Sequence, residues 1–150
     1  MIEKLKLLFL CTGNSCRSQM AEAWTRELKN DCIEVFSAGV EIHGLNPNAV
    51  KVMAEVGIDI SEHKSKSINE FLDLDLDLDA VVTVCNHAQE TCPYFPSKCR
   101  IIHAGFDDPP QIAHKLALQG ADKNTQMECY RKVRDEIRDF VEALPDNLEL

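Results

Sequence analysis

The chain lacks both a long hydrophobic run and an excess of positive charge. Its longest apolar run near the start, residues 7–11, is far shorter than the about 20 residues of a transmembrane helix. Sixteen Lys and Arg stand against 25 Asp and Glu, which gives a formal net charge of −9. Nucleic acids and anionic membranes bind cationic faces, so neither is expected as a main partner. Without an export signal, the chain is expected to be cytoplasmic.

The chain also lacks any repeat of solenoid length. Its 150 residues are one domain's worth of sequence, and we expect a single domain over residues 1–150. Hydrophobic residues make up 45% and charged residues 27%, which is typical of a globular protein. A core of this size needs no disulfide or metal to hold it together.

Cysteine, by contrast, is abundant: the chain has seven. A zinc site built from Cys85, His87, Cys92 and Cys99 is conceivable, but no paired C-x2-C spacing supports it, so no metal and no cofactor are expected. Without an export signal, thiols in this number indicate redox or nucleophilic chemistry rather than a set of structural disulfides.

Short apolar runs alternate with helical periodicities, which predicts an α/β fold with an open parallel sheet and helices on both faces. The predicted strands are residues 5–11, 33–38, 80–84 and 99–103. The predicted helices are residues 15–29, 46–56 and 127–144, with a short helix between the last two strands. Residues 72–79 (LDLDLDLD) are interpreted as a solvated acidic edge, and residues 111–124 as a polar loop or a cover for the cleft. Ligands of such folds bind beyond the carboxyl ends of the strands.

A C-x5-R-S loop follows the first strand and opens a helix. Its backbone N–H groups are predicted to converge on a tetrahedral oxyanion, with help from the helix N-terminus. Arg17 presents a planar fork to two oxygens of that anion, and the same positive field favours the thiolate of Cys11, the predicted nucleophile. Cys16 is expected only to pack. The predicted oxyanion-binding residues are Thr12, Gly13, Asn14, Ser15, Cys16, Arg17 and Ser18, of which Asn14 and Ser18 also hold the loop's shape by side-chain hydrogen bonds.

These residues resemble those of the low-molecular-weight protein tyrosine phosphatases. The resemblance rests on CTGNSCRSQMAE from Cys11 onward, on the SAG sequence that begins at Ser37, and on the Asp-Pro pair at Asp108. It implies a four-stranded sheet of order 2-1-3-4, with Cys11 as nucleophile and Asp108 as general acid. Asp107 fits a solvated turn. Pro110 stands where these phosphatases usually carry an aromatic residue beside the phosphotyrosine ring, which indicates a small inorganic substrate.

Two further cysteines, Cys85 and Cys92, favour a reductase. In the order 2-1-3-4 the first and third strands are neighbours, about 4.8 Å apart, so Cys11 and Cys85 should face one crevice. This arrangement resembles the thioredoxin-coupled arsenate reductases, which share the phosphatase-like fold. The resemblance implies that Cys11 attacks arsenate, that Cys85 attacks Cys11 and releases arsenite, and that Cys92 then forms a disulfide with Cys85 for thioredoxin to reduce. Cys32, Cys99 and Cys129 stay outside this relay.

Two other functions remain open. A small phosphatase acting on phosphotyrosine would use Cys85 and Cys92 only to protect Cys11 from oxidation. A non-catalytic thiol sensor would bind oxyanions without turnover. Within the reductase hypothesis, the electron donor is thioredoxin or a glutathione-linked protein, and internal relay cysteines favour thioredoxin.

The resemblance also bears on potassium. In some related reductases the positions of Asn14, Glu22 and Ser37 help to bind a potassium ion, together with an aspartate. This chain has Lys66 in place of that aspartate. Its ammonium is expected to take the cation's place beside Glu22, so we predict little stimulation by potassium.

Overall fold

Four parallel strands form the sheet in the computed structural model, which describes residues 3–73, 77–85 and 99–150. The strands are β1 (Leu5–Cys11), β2 (Ile33–Gly39), β3 (Ala80–Thr83) and β4 (Arg100–His103). The helices of these ranges are α1 (Arg17–Lys29), α2 (Pro47–Glu55), α3 (Ile68–Asp73), α4 (Pro109–Leu118) and α5 (Lys123–Glu142). The spatial order is β2-β1-β3-β4, which confirms the predicted order 2-1-3-4.

Strand β1 lies in the middle of the sheet because it is apolar on both faces. Leu7 and Phe9 belong to one buried cluster, and Leu8 and Leu10 belong to another. Parallel pairing aligns Leu10 with Ala38 of β2 on one side and with Thr83 of β3 on the other. The carboxyl ends of β1, β2 and β3 therefore lie together at one edge of the sheet.

Helices cover both faces, as predicted. Helices α1, α2 and α5 bury the face that contains Leu7 and Phe9, with Trp24 and Val52 in the same cluster. Helix α3 covers the opposite face, where Phe71 packs with Leu8 and Leu10. Among the residues that the structure describes, no helix combines the length and the apolar character needed to cross a membrane.

The structure corrects the interpretation of residues 111–124 as a loop. Most of this segment lies in α4 and the first turns of α5. Helix α4 begins with Pro109 and Pro110, which are well suited to a first helical turn, but it buries only Pro109 and Ala113. Such a narrow apolar stripe gives almost no helical periodicity in the sequence.

The acidic run at residues 72–79 matches the predicted solvated edge only in part. It begins inside α3, which the sequence did not predict, whereas Asp77 and Asp79 are exposed as expected. Asp79 also has a structural role, because its carboxylate accepts a hydrogen bond from the Lys6 backbone N–H at 2.8 Å. Residues 74–76 and 86–98 lie outside the described residues, and the predicted short helix between the last two strands falls within residues 86–98.

Candidate active site

Cys11 ends β1 and opens the predicted oxyanion loop. The side chain is almost completely buried. The backbone N–H of Asn14 donates a hydrogen bond to Cys11 Sγ at 3.2 Å, and Ser18 Oγ lies 2.9 Å from the same sulfur. Hydrogen bonds donated to a thiolate favour the charged form of the group. The loop thus places an N–H donor and a hydroxyl on the sulfur of the predicted nucleophile.

A cavity of about 370 Å³ opens over this loop. From the predicted oxyanion loop, its lining includes Cys11, Thr12, Gly13, Ser15, Cys16 and Arg17. Asn14 and Ser18 lie behind the loop instead, where Asn14 Nδ2 donates to Ser18 Oγ at 2.8 Å. These two residues hold the loop's shape, while the others face the space that an anion would occupy.

Arg17 connects the loop to the predicted acid. It is buried, its Nη1 donates to the carbonyl of Phe106 at 3.1 Å, and its Nη2 lies 3.6 Å from Asp108 Oδ1. Asp108 lines the cavity and immediately precedes Pro109, which restricts its backbone to extended conformations. Asp107 does not line the cavity. The structure therefore brings Cys11, Arg17 and Asp108 together around one space.

The opposite wall of the cavity comes from a segment that the sequence did not single out. Glu41, His43 and Asn46 each donate a backbone hydrogen bond to a carbonyl of the loop, those of Thr12, Gly13 and Ser15, at 2.9 to 3.1 Å. The cavity lining from this segment is His43, Gly44, Leu45, Asn46 and Pro47. The segment follows β2, and the rule that ligands bind beyond strand ends could have found it.

Gly13 lets the His43 side chain contact the loop backbone. A β-carbon at position 13 would lie 2.5 Å from Nδ1 of His43, so the exposed imidazole would have to move away from this position.

Cys16 lines the cavity but differs chemically from Cys11. It lies at the start of α1 and packs into the core. Burial raises the pKa of the Cys16 thiol well above its ordinary value, and the nearby Asp108 raises it further. Cys16 therefore stays protonated, as expected of a packing residue, and does not compete with Cys11 for the anion.

Positively charged groups surround the buried carboxylate of Glu22. Ser37 Oγ donates to Glu22 at 2.8 Å, Arg26 lies at 2.9 Å, and Lys66 Nζ lies at 3.6 Å. The expected ammonium beside Glu22 is thus confirmed. Two cationic side chains thus already neutralise this carboxylate, which disfavours a further cation beside it. That potassium has little effect on activity stays a prediction.

Cys85 lies at the same edge of the sheet as Cys11. Leu10 pairs with Thr83, and the Val84 N–H donates to the Leu10 carbonyl at 3.0 Å, so the two cysteines end neighbouring strands. Cys85 is fully buried and disulfide-bonded. Cys92, predicted to be the third relay cysteine, lies outside the described residues.

The remaining cysteines do not enter the cavity. Cys32 and Cys129 pack against the main core cluster, and Cys99 packs against the smaller one. Within residues 3–73, 77–85 and 99–150, no group of three or more His, Cys, Asp or Glu side chains is placed to hold a metal ion. His87 of the rejected zinc hypothesis falls outside these ranges.

Known proteins share both the sequence and the fold. Residues 6–149 match the family of the low molecular weight phosphotyrosine protein phosphatases. An arsenate reductase of Halalkalibacterium halodurans is 49% identical over 136 residues, which is 91% of each chain. The solved structure of an arsenate reductase in the phosphate-binding state superposes with a TM-score of 0.73 at 31% identity, covering 95% of this chain and 98% of that one.

A more distant structure shows the same fold. It is the thioredoxin-dependent arsenate reductase of Corynebacterium glutamicum, which matches with a TM-score of 0.60 at 22% identity. The match covers 98% of this chain and 64% of that one.

Proposed function

The chain belongs to the low molecular weight phosphotyrosine protein phosphatase family and, within it, to the arsenate reductases, and we propose that it reduces arsenate with electrons relayed through Cys11, Cys85 and Cys92. The observation that carries this proposal is the position of two buried cysteines at the carboxyl ends of the neighbouring strands β1 and β3, one of them in the oxyanion loop. A phosphatase needs no second cysteine there, because water completes its cycle.

In the first step the thiolate of Cys11 attacks arsenate held by the loop N–H groups and Arg17. An As–O bond breaks as the S–As bond forms, and Asp108 supplies the proton with which that oxygen leaves as water. The contact between Arg17 and Asp108, 3.6 Å, keeps the acid beside the anion. The short side chain of Pro110 on the cavity wall suits a small inorganic oxyanion.

In the second step the thiolate of Cys85 attacks Cys11 Sγ. The S–S bond forms, the S–As bond breaks, and its electron pair passes to arsenic, so the two thiols are oxidised and arsenate leaves as arsenite. Cys92 then attacks Cys85 and frees Cys11. Cys85 is disulfide-bonded in the structure, which is the form of Cys85 expected at this last stage of the cycle.

We propose thioredoxin as the reductant of the Cys85–Cys92 disulfide. Both cysteines of the final disulfide come from this chain, so the reductant needs only to exchange thiols with it. The thioredoxin dependence of the Corynebacterium glutamicum reductase supports the same donor.

The test is NADPH consumption by the full-length protein with arsenate, thioredoxin and thioredoxin reductase, with phosphate as the control anion. Cys92→Ser should lose multiple turnover but complete one round of arsenate reduction. Cys99→Ser is the matched control, because Cys99 packs against the smaller core cluster and does not line the cavity, and it should keep full turnover.

Other results would favour another function. An unchanged rate of aryl phosphate hydrolysis in Cys92→Ser, with no arsenate-dependent NADPH consumption in the wild type, would identify a phosphatase. Oxyanion binding with neither activity would identify a sensor. If a glutaredoxin with glutathione supports turnover and thioredoxin does not, the proposed donor is wrong.

A further inference from the structure

Asn14 adopts a backbone conformation that is unusual for a residue with a side chain. Its φ is +49°, in the left-handed region that non-glycine residues rarely occupy. In this conformation the Asn14 N–H donates its hydrogen bond to Cys11 Sγ. The direction of that N–H depends on the rotation of the peptide plane between Gly13 and Asn14. Whatever holds Asn14 in place therefore controls a contact of the proposed nucleophile.

Three groups from outside the loop hold Asn14. Ser65 Oγ donates to the Asn14 carbonyl at 2.7 Å, and the Lys66 backbone N–H donates to Asn14 Oδ1 at 2.7 Å. Gln19 Nε2 lies 3.1 Å from each of these two Asn14 oxygens. Hydrogen bonds to the carbonyl and to the side-chain oxygen of one residue can offset the cost of its left-handed backbone, on the order of 1–3 kcal/mol.

These groups are themselves fixed in position. Gln19 is fully buried, its Nε2 also donates to the Lys64 carbonyl at 2.8 Å, and its Oε1 lies 3.2 Å from Nδ1 of His63. The segment is anchored to the end of β2, because the Gly39 N–H donates to the Lys66 carbonyl at 2.8 Å.

Gly39 lets the end of β2 approach the loop closely. A β-carbon at position 39 would lie 2.7 Å from the Thr12 carbonyl oxygen and 2.8 Å from the Asn14 nitrogen. The end of β2 is therefore pressed directly against the loop on the side away from the cavity.

We propose that Ser65 and Gln19 are positioning residues for the proposed nucleophile. Neither side chain lines the cavity, yet both bind oxygen atoms of Asn14 and so fix the residue whose N–H donates to Cys11 Sγ. The inference rests on the proposed function, in which Cys11 attacks the oxyanion. Without the Ser65 hydroxyl, the Asn14 carbonyl loses a hydrogen bond, the left-handed backbone of Asn14 is held less firmly, and the N–H contact with Cys11 Sγ weakens, so Cys11 reacts more slowly.

The test measures the rate at which iodoacetamide alkylates Cys11 in the fully reduced full-length protein across a range of pH, with the modified cysteine identified by peptide fragmentation. Ser65→Ala should slow alkylation about five-fold at neutral pH and move the midpoint of the profile upward, as expected for one lost hydrogen bond. Ser67→Ala is the matched control on the same segment. The Ser67 hydroxyl accepts from the Asn69 N–H at 3.2 Å and does not touch the loop, so this variant should match the wild type.

A second pair of variants separates the hydroxyl from general packing. Ser65→Thr keeps the hydroxyl and should retain most of the reactivity, whereas Ser65→Val has nearly the same volume and should react as slowly as Ser65→Ala. The proposal would be overturned if Ser65→Thr and Ser65→Val gave equal alkylation profiles, or if Ser67→Ala lost as much reactivity as Ser65→Ala. The assay contains no arsenate, so its outcome is independent of whether the protein proves to be a reductase.

Discussion

At the scale of single residues, two carboxylates that are adjacent in the chain differ in whether they line the cavity. Asp108 lines the cavity and lies 3.6 Å from the Arg17 guanidinium, whereas Asp107 is absent from the lining. The difference comes from position alone, since the backbone of Asp108 is restricted by Pro109 and leads directly into α4. A positioned acid contributes typically 10² to 10⁴-fold to a rate.

We therefore expect Asp108→Asn to lower the single-turnover rate of arsenate reduction by about 10² to 10⁴-fold, because the leaving oxygen loses its proton donor. Quenched-flow measurement of arsenite formation gives this rate. Asp107→Asn removes the same charge one residue away and should leave the rate nearly unchanged. An equal loss in both variants would show that the charge of the turn, and not a positioned acid, matters.

At the scale of secondary-structure elements, Arg134 joins three helices. Trp24 of α1 donates to the Arg134 carbonyl at 3.1 Å, and Arg134 Nη1 donates to the Val52 carbonyl at 2.9 Å and to Glu55 of α2 at 3.0 Å. Glu55 also binds Arg131, and the hydrogen bond from Arg131 lowers the pKa of the Glu55 carboxyl. Arg134 and Val52 are buried whereas Glu55 is partly exposed, so the hydrogen bond to the Val52 carbonyl is the contact that is shielded from water.

Replacing Arg134 with methionine should lower the free energy of unfolding by about 1–3 kcal/mol, because the Val52 carbonyl loses its partner and α2 loses a connection to α5. Urea unfolding of the reduced protein, followed by circular dichroism, measures this quantity. Arg138→Met is the comparison on the same helix, since Arg138 contacts only acidic side chains of α5 and is more exposed. The prediction is wrong if the two variants are equally stable.

At the scale of the whole molecule, His63 links stability to pH. Burial lowers the pKa of the His63 imidazole below its ordinary value of 6.5, with smaller effects of Arg26 and Lys66 in the same direction, while Glu22 and Asp59 raise it. The folded protein therefore favours the neutral ring. Below pH 6.5 the unfolded chain binds the proton more readily, so stability falls as the pH drops through the lowered pKa of the folded state.

We expect the free energy of unfolding to decrease between pH 7.5 and pH 5, and His63→Gln to show a weaker decrease over the same range. Thermal or urea unfolding of both proteins at several pH values gives the comparison. Identical pH dependence in the two proteins would assign the acid sensitivity to other groups.

Local patterns in the sequence were enough to locate the strands and the reactive loop. The apolar run of β1 is typical of a strand buried on both faces, and the C-x5-R-S spacing brings a thiol, a cation and a helix N-terminus to one place. The carboxyl ends of neighbouring parallel strands lie at one edge of the sheet. Once the family resemblance gave the strand order, this rule predicted that Cys85 lies beside Cys11. These features depend on residues close together in the chain or on fixed sheet geometry.

Contacts between distant segments were decided only by the tertiary structure. Helix α4 has too narrow an apolar stripe to be recognised from the sequence. The contact between the His43 ring and Gly13, which forms one wall of the cavity, is visible only in the folded protein. Ser65 lies 51 residues from Asn14, and no local pattern links the two. The sequence determines which groups are available for chemistry, but folding determines which ones meet, because packing brings together residues whose separation along the chain carries no signal.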